Sequence, residues 1–173
     1  MELELSQMKY KKPNLMKYGH QNYTVEKILI VLAVLWGMAT ICKVAGQEHT
    51  QEHKVVAITI LAEARGEGNK GMYAVAAVIA QRAMERHQTP EQVCRAKWQF
   101  SCWNGKSIKS LEHLLKTPQA KYALRLAKSV KQLSRDYVGY ANHYHATWMK
   151  KKPYWAKGQK PVKVIGQHAF YKL

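Results

Sequence analysis

Apolar residues along the chain form one uninterrupted run near the N-terminus and several shorter, helically spaced runs after it. The first run, residues 28–42, contains no charged residue and is bracketed by Lys27 and Lys43. A membrane-spanning helix needs about 20 apolar residues, and a signal peptide has an apolar core of about 7–15. The run therefore predicts a membrane anchor over residues 28–44 or a cleaved signal segment, with a buried helix as the third interpretation.

This run divides the chain into four predicted parts. They are a polar tail (residues 1–26), the anchor or signal segment (27–46), a linker (47–53) and a domain (54–173). The tail contains several lysines, whereas the linker is polar and partly acidic. Basic residues favour the cytoplasmic side of a membrane segment. We therefore expect a cytoplasmic tail and a domain in the periplasm or outside the cell, held at the inner membrane or secreted after signal cleavage.

The first half of the domain has the pattern of buried helices. Residues 55–64 are almost wholly apolar, and residues 72–86 combine many alanines with apolar side chains spaced three and four apart. Thr89 and Pro90 supply an N-cap and a proline in the first turn, which predicts a short helix reaching Ala96.

The second half of the domain changes character. Thr117 and Pro118 repeat the helix-start signature and predict a helix over residues 119–133. Residues 140–173 are rich in aromatics, histidine and glycine and show little helical periodicity. The pattern predicts an α+β fold that is mainly helical, with a small C-terminal antiparallel sheet.

The charge balance restricts the partners of this domain. The 173 residues include 28 Lys+Arg against 11 Asp+Glu, a net charge of +17. So basic a protein is attracted to polyanions such as nucleic acid, an acidic membrane face or an envelope polymer. Its three cysteines are too few for a disulfide scaffold. We expect a monomer.

One carboxylate stands out from the others. Glu63 follows the apolar residues 55–62, so it should project from the last turn of a largely buried helix. Apolar surroundings disfavour the charged form of a carboxyl group and raise its pKa, which lets the group donate a proton near neutral pH. The alternative is a helix-end carboxylate paired with Arg65 or Arg82.

Several separated blocks of the domain resemble the SleB/CwlJ family of cell wall hydrolases. They are AEARGEG (62–68), the alanine-rich stretch 71–82, the middle block 93–102, and the closing segments ANHYHA (141–146), PYWA (153–156) and IGQHAFY (165–171). The resemblance covers nearly the whole predicted domain, from about residue 55 to residue 173.

This resemblance implies a lysozyme-like fold and cleavage of peptidoglycan between N-acetylmuramic acid and N-acetylglucosamine, as in lytic transglycosylases. It implies that Glu63 is the catalytic residue, with Glu67 as the fallback acid, and that no metal or other cofactor takes part. Ordinary glycosidases need two carboxylates, whereas a transglycosylase needs only one. Hydrolysis by a positioned water stays open.

Glycan strands are gripped by aromatic faces and side-chain amides. The candidate substrate-binding residues are Gln99, Ser101, Tyr144, His145 and Trp155. Tyr171 is a further aromatic candidate, while Phe170 is predicted to lie in the core.

The histidines support a different hypothesis. His143 and His145 alternate on a strand and would share one face; with His168 they could bind zinc, as in an amidase that removes the stem peptide. No HExxH motif accompanies them.

A third hypothesis is a non-enzymatic basic module. The basic tracts 150–152 and 157–163 could bind nucleic acid, but no nucleic-acid-binding motif is present. The same charge fits the anionic polymers of a bacterial envelope, so we expect those as partners and not nucleic acid.

Two cysteines of the domain are eight positions apart. In an oxidising envelope Cys94 and Cys102 could close a short loop, worth roughly 2–3 kcal/mol. Two buried thiols are the alternative. Cys42 belongs to the apolar run and needs no further role.

Overall fold

A computed structural model describes residues 49–173, so the predicted tail and the predicted membrane segment 28–44 lie outside the described residues. The α-helices are α1 (Gln51–Ala64), α2 (Gly68–Glu85), α3 (Pro90–Arg95), α4 (Ile108–Leu111) and α5 (Ala120–Lys128). The strands are β1 (His143–Ala146), β2 (Lys163–Ile165) and β3 (His168–Tyr171). Short 3₁₀ turns occupy Arg65–Glu67, Ser101–Trp103, Glu112–Lys116, Val130–Gln132, Arg135–Val138 and Tyr154–Ala156. No helix within residues 49–173 is long and apolar enough to cross a membrane.

Helix α1 is the central element of the core. Every residue from Val55 to Leu61 is buried, and α2, α3 and α5 all pack against this helix. A helix that is apolar on all sides must be surrounded, which the sequence pattern anticipated. Its start differs from the prediction: Thr50 caps α1 by accepting a hydrogen bond from the backbone N–H of His53, so the helix includes three residues assigned to the linker.

The start of α3 confirms the predicted cap. Thr89 and Gln92 form a reciprocal capping box, in which each side chain accepts a hydrogen bond from the other residue's backbone N–H. Pro90 occupies the first turn, where its missing N–H costs nothing.

The helix predicted over residues 119–133 is shorter than expected. The Thr117 hydroxyl donates to the carbonyl of Leu114, so it closes the preceding turn and leaves Gln119 as the N-cap of α5. At the other end, the Ser129 hydroxyl donates back to Arg125, and the chain tightens into the 3₁₀ turn Val130–Gln132. A hydroxyl that competes for the last carbonyls of a helix favours such an early end.

The three strands form an antiparallel sheet in the order β1-β3-β2. Tyr144 is paired with Phe170 and His145 with Ala169, so alternate residues face opposite sides of the sheet. Phe170 is fully buried in a cluster with Ala74 and Val78 of α2, as predicted for a core residue. The mainly helical α+β fold with a small sheet is therefore confirmed, and its likeness to lysozyme stays a prediction.

Candidate active site

Glu63 lies in the last turn of α1, where the buried part of that helix ends. Its side chain is half-buried, and removal from water raises the pKa of its carboxyl group above the ordinary value. A hydrogen bond from Tyr144 and the positive charge of Arg82 act in the opposite direction and lower the same pKa. Burial thus favours the neutral, proton-donating form of this carboxyl group, while Tyr144 and Arg82 favour its ionised, proton-accepting form.

Tyr144 of β1 is the hydrogen-bond partner of Glu63. Its hydroxyl donates to Oε2 of Glu63 at 3.0 Å. The ring of Tyr144 packs edge-on against His168, with centroids 5.1 Å apart, and lies beside Phe170 at 5.6 Å. Burial is the larger cause and the charge of Glu63 the next one that raise the pKa of the Tyr144 hydroxyl well above 10. The hydroxyl therefore keeps its proton and acts as a hydrogen-bond donor.

Arg82 of α2 is a buried cation close to this pair. Its Nε donates to the backbone carbonyl of Asn142 at 2.6 Å, two residues before Tyr144. The guanidinium lies over the ring of Phe100, 5.3 Å from the centroid. One terminal nitrogen of Arg82 is buried without a hydrogen-bond partner among the described residues. Arg82 thus joins α2 to the start of β1 and brings positive charge towards Glu63.

The two cysteines of the domain are free thiols, so the structure shows the alternative to the disulfide bridge, and Cys102 is the one near Glu63. Burial raises the pKa of both Cys94 and Cys102 to about 12. The negative charge of Glu63 adds to the effect at Cys102, which places that thiol within electrostatic reach of the carboxylate.

Glu67, the fallback acid, has a different environment. It ends the 3₁₀ turn that follows α1, and its Oε2 accepts a hydrogen bond of 2.8 Å from the backbone N–H of Gln167. Gly166 has a φ of +56°, and a Cβ there would overlap the Glu67 carboxylate. Glu67 therefore ties the turn after α1 to the β2–β3 hairpin.

The predicted amide and hydroxyl ligands, Gln99 and Ser101, follow α3 in the chain, and Ser101 is the first residue of the turn Ser101–Trp103. Gln99 is half-buried, and its side-chain carbonyl accepts a hydrogen bond from Arg86 at 3.0 Å. Ser101 is exposed and opens the 3₁₀ turn. Phe100, the residue between them in the chain, packs its ring against the guanidinium of Arg82.

Two predicted ligands, His145 and Trp155, lie on the opposite face of the sheet from Tyr144. His145 is buried, and its two ring nitrogens are 2.9 Å from the Ala146 carbonyl and 3.0 Å from the Tyr171 hydroxyl. Trp155 packs against His145 and Tyr171. The structure does not bring this aromatic cluster to Glu63, because adjacent residues of β1 point to opposite sides.

The three-histidine zinc hypothesis fails for the same reason. His143 and His145 share one face of the sheet and both contact Trp155. His168 contacts Tyr144 from the other face. No group of three or more His, Cys, Asp or Glu residues in the described part of the chain is arranged to hold a metal ion.

Sequence reasoning underestimated Arg82, which it treated only as an ion-pair partner, and did not place Cys102 beside the acid. A signal for Arg82 exists in the sequence, since it is a charged residue at a core-facing position of the alanine-rich helix. Buried charges require partners, so a charged residue at such a position indicates part of a site.

Comparison with known protein families assigns the chain to one family. The sequence profile of the Cell Wall Hydrolase family matches residues 66–171, which is more than half of the chain, so the protein belongs to this family. It is accordingly a peptidoglycan-acting enzyme. The matched region begins three residues after Glu63. Comparisons with curated proteins and with solved structures found no significant match.

Proposed function

We propose that the enzyme cleaves the glycosidic bond between N-acetylmuramic acid and N-acetylglucosamine, and that Glu63 is its single acid and base. The observation that carries this proposal is the half-buried carboxyl group with a raised pKa and a fixed phenolic donor on one of its oxygens. The membership in a cell wall hydrolase family supplies the substrate class.

The first step is protonation of the leaving group. Tyr144 donates a hydrogen bond to Oε2 of Glu63, so Oε1 carries the acidic proton in the proposed first step. Glu63 transfers this proton to the glycosidic oxygen while the bond from the muramic C1 to that oxygen breaks. The bond electrons leave with the N-acetylglucosamine hydroxyl, and positive charge develops at C1, beside the carboxylate that has just formed.

The second step returns the enzyme to its starting state. The 6-hydroxyl of the muramic acid attacks its own C1 and forms a 1,6-anhydro ring. Its proton passes to the carboxylate of Glu63, so no water is consumed and the acid is regenerated. The hydrogen bond from Tyr144 and the charge of Arg82 stabilise the carboxylate between the two steps, since both lower the pKa of Glu63.

A one-carboxylate mechanism suits the carboxylates of residues 49–173. Glu67 is bound to the backbone N–H of Gln167, and Glu112 and Asp136 are exposed. The remaining three are engaged elsewhere: Glu52 lies 4.0 Å from Lys131, Glu85 accepts from Gln81 and Asn142, and Glu91 accepts from Gln51. Two-carboxylate glycosidases need a second carboxylate at a fixed distance from the acid. Each of the six other carboxylates in residues 49–173 is exposed or engaged with another group, which favours a mechanism with one carboxylate.

The decisive test is the Glu63→Gln variant acting on purified sacculi. We expect it to fold and to lose the turbidity decrease, by about a hundredfold or more, because the amide cannot donate an acidic proton. Glu112→Gln, which removes an exposed carboxylate, is the matched control and should retain activity. Full activity of Glu63→Gln would overturn the assignment.

The products distinguish the mechanisms. Mass spectrometry of the digest should show anhydromuropeptides if the ring closes, reducing ends if water attacks, and free stem peptides if the enzyme is an amidase. Only the first product fits the proposed lytic transglycosylase.

The cellular location is also part of the proposal. We propose that residues 28–44 anchor the enzyme in the inner membrane, or serve as its signal segment, and that the exposed lysines 150–152 attract anionic envelope polymers. Membrane fractionation of the full chain, compared with a chain lacking residues 1–46, tests the anchor.

A further inference from the structure

A second feature of the molecule is a hollow of about 320 Å³ between the end of α3 and the turn Ser101–Trp103. Two tryptophans line it, Trp98 and Trp103, together with Arg95, Lys97 and Asn104. Its volume is within the range of small-molecule sites. None of these side chains has a role in the mechanism above.

The hollow lies close to the proposed catalytic acid. The indole N–H of Trp103 donates to the Thr59 hydroxyl at 2.9 Å. Thr59 and Glu63 are four residues apart on α1, so they share one face and are separated by about 6 Å along the helix axis. The residue before Trp103 is Cys102, which senses the charge of Glu63. Trp103 therefore connects the wall of this hollow to the helix that carries Glu63, one helical turn from the proposed acid.

The backbone presents Trp98 to solvent in an unusual conformation. Residues 96–99 form a turn closed by the hydrogen bond from Gln99 N–H to the Ala96 carbonyl, 3.1 Å long. Trp98 is the third residue of that turn and has a φ of +64°, a position that glycine normally occupies. Its side chain is 75% exposed. The fold gains nothing evident from this indole, and a strained, exposed aromatic residue points to binding.

Cations accompany both rings. The guanidinium of Arg95 lies 5.7 Å from the ring centroid of Trp103, and the ammonium of Lys97 lies 5.4 Å from that of Trp98. Glu91 is the acidic neighbour, 4.0 Å from Arg95. A ligand that pairs with these cations must carry an anionic group next to an apolar face that covers an indole ring.

We propose that this hollow binds a muramyl sugar of the glycan strand, with an indole against the sugar face and a carboxylate of that sugar or of its stem peptide paired with Arg95 and Lys97. The inference rests on the proposed function, because it assigns a binding position to the same substrate. The carboxylate can be that of the stem peptide in intact peptidoglycan or the lactyl group in strands stripped of stem peptide.

The variant Trp98→Gly tests the aromatic part. Glycine suits the positive φ, so the fold is retained while the indole is lost. We expect the half-saturating concentration of sacculi to rise by about tenfold with kcat nearly unchanged. Trp98→Phe should restore much of the binding. Trp148→Ala, which removes another indole that is 71% exposed, is the matched control and should bind as the unaltered enzyme does. Equal binding by Trp98→Gly and the unaltered enzyme would overturn the proposal.

The variant Lys97→Gln tests the carboxylate. Binding is measured to intact sacculi, to amidase-stripped glycan strands and to N-acetylglucosamine oligomers, which carry no carboxylate. We expect a loss of roughly two- to fivefold at low salt on a carboxylate-bearing ligand and none on the oligomers. An effect confined to sacculi identifies the stem carboxylate, and one that persists on stripped strands identifies the lactyl group. An equal loss on the oligomers refutes the carboxylate pairing.

Binding measured in the Glu63→Gln background separates this inference from the mechanism. If Trp98→Gly weakens binding there while Glu63→Gln retains full cleavage, the hollow stands and the assigned acid fails. If Glu63→Gln is inactive and Trp98→Gly binds normally, the acid stands and the hollow fails.

Discussion

The Tyr144 hydroxyl donates a hydrogen bond of 3.0 Å to Oε2 of Glu63, although 81 residues of sequence separate the two. The contact joins the end of the central helix to the first strand of the sheet. It also stabilises the ionised form of a carboxyl group that burial drives towards the neutral form. The charge state of Glu63 thus depends on how the sheet is seated against the helices.

The first prediction concerns the pH dependence of Tyr144→Phe. In the proposed mechanism the first step needs protonated Glu63, so we expect kcat/KM to fall as pH rises through the pKa of this residue. The Tyr144 hydroxyl lowers that pKa, and its removal therefore raises it and moves the alkaline limb to higher pH. The measurement is a pH profile of sacculus digestion. Tyr171→Phe, altered on the other face of the sheet, should leave the limb in place; a limb shifted to lower pH in Tyr144→Phe would contradict the prediction.

A second prediction concerns stability. The pKa of Glu63 is raised in the folded state, so its stabilising contribution is complete below the unfolded pKa and is lost as pH rises through the folded one. Glu63→Gln imitates the neutral form and should have a higher Tm than the unaltered enzyme at pH 8. The difference should shrink towards pH 4. Thermal unfolding at both pH values checks this, and a variant that is equally stabilised at both would show that ionisation is not the cause.

A third prediction uses two glycines with positive φ. Gly166→Ala places a Cβ against the Glu67 carboxylate, whereas at Gly158, with a φ of +74°, a Cβ would meet nothing within 4 Å. Gly158→Ala should cost about 1 kcal/mol of unfolding free energy for the backbone alone. Gly166→Ala should cost more, roughly 1–3 kcal/mol. Urea denaturation measures both.

The additional loss of unfolding free energy in Gly166→Ala, compared with Gly158→Ala, should disappear in the Glu67→Ala background, because the overlapping carboxylate is then absent. An excess that survives there would show that Glu67 does not hold the hairpin.

A fourth prediction makes Cys102 a reporter of the acid. Burial and the charge of Glu63 raise its pKa, so Glu63→Gln should increase its thiolate fraction and its rate of alkylation at pH 8. Cys94 is the internal control, because Glu63 is not among the groups that shift its pKa. Peptide mass mapping of the reduced protein after timed iodoacetamide treatment measures both rates. Equal acceleration of the two thiols would indicate a loosened fold instead.

Much of this architecture follows from local patterns in the sequence. The run Val55–Leu61 had to be a surrounded helix, and Thr89 had to begin one, because burial and capping are decided within a few residues. The position of Glu63 in the last turn of the apolar helix was predictable for similar reasons, whereas the assignment of Tyr144 to substrate binding stays a prediction.

Other features depend on contacts that local patterns do not encode. The alternation along β1 shows that Tyr144 and His145 face opposite sides, but which side meets the helices is decided by the pairing with β3. The competition between the Ser129 hydroxyl and the helix ladder, which shortened α5, depends on a rotamer. The position of Arg82 beside Asn142 requires the complete fold.

In the described sheet, β1 is hydrogen-bonded to β3 and not to β2, so the position of β1 depends on a strand near the C-terminus. The ribosome makes Glu63 about a hundred residues before it makes His168–Tyr171, the segment that holds β1 in the sheet. Until that segment has emerged and paired, Tyr144 has no fixed place beside the acid. A nascent or clipped chain without β3 would therefore leave Glu63 without the hydrogen bond that lowers its pKa, so the final charge balance of this carboxyl group is reached only after β3 has been synthesised.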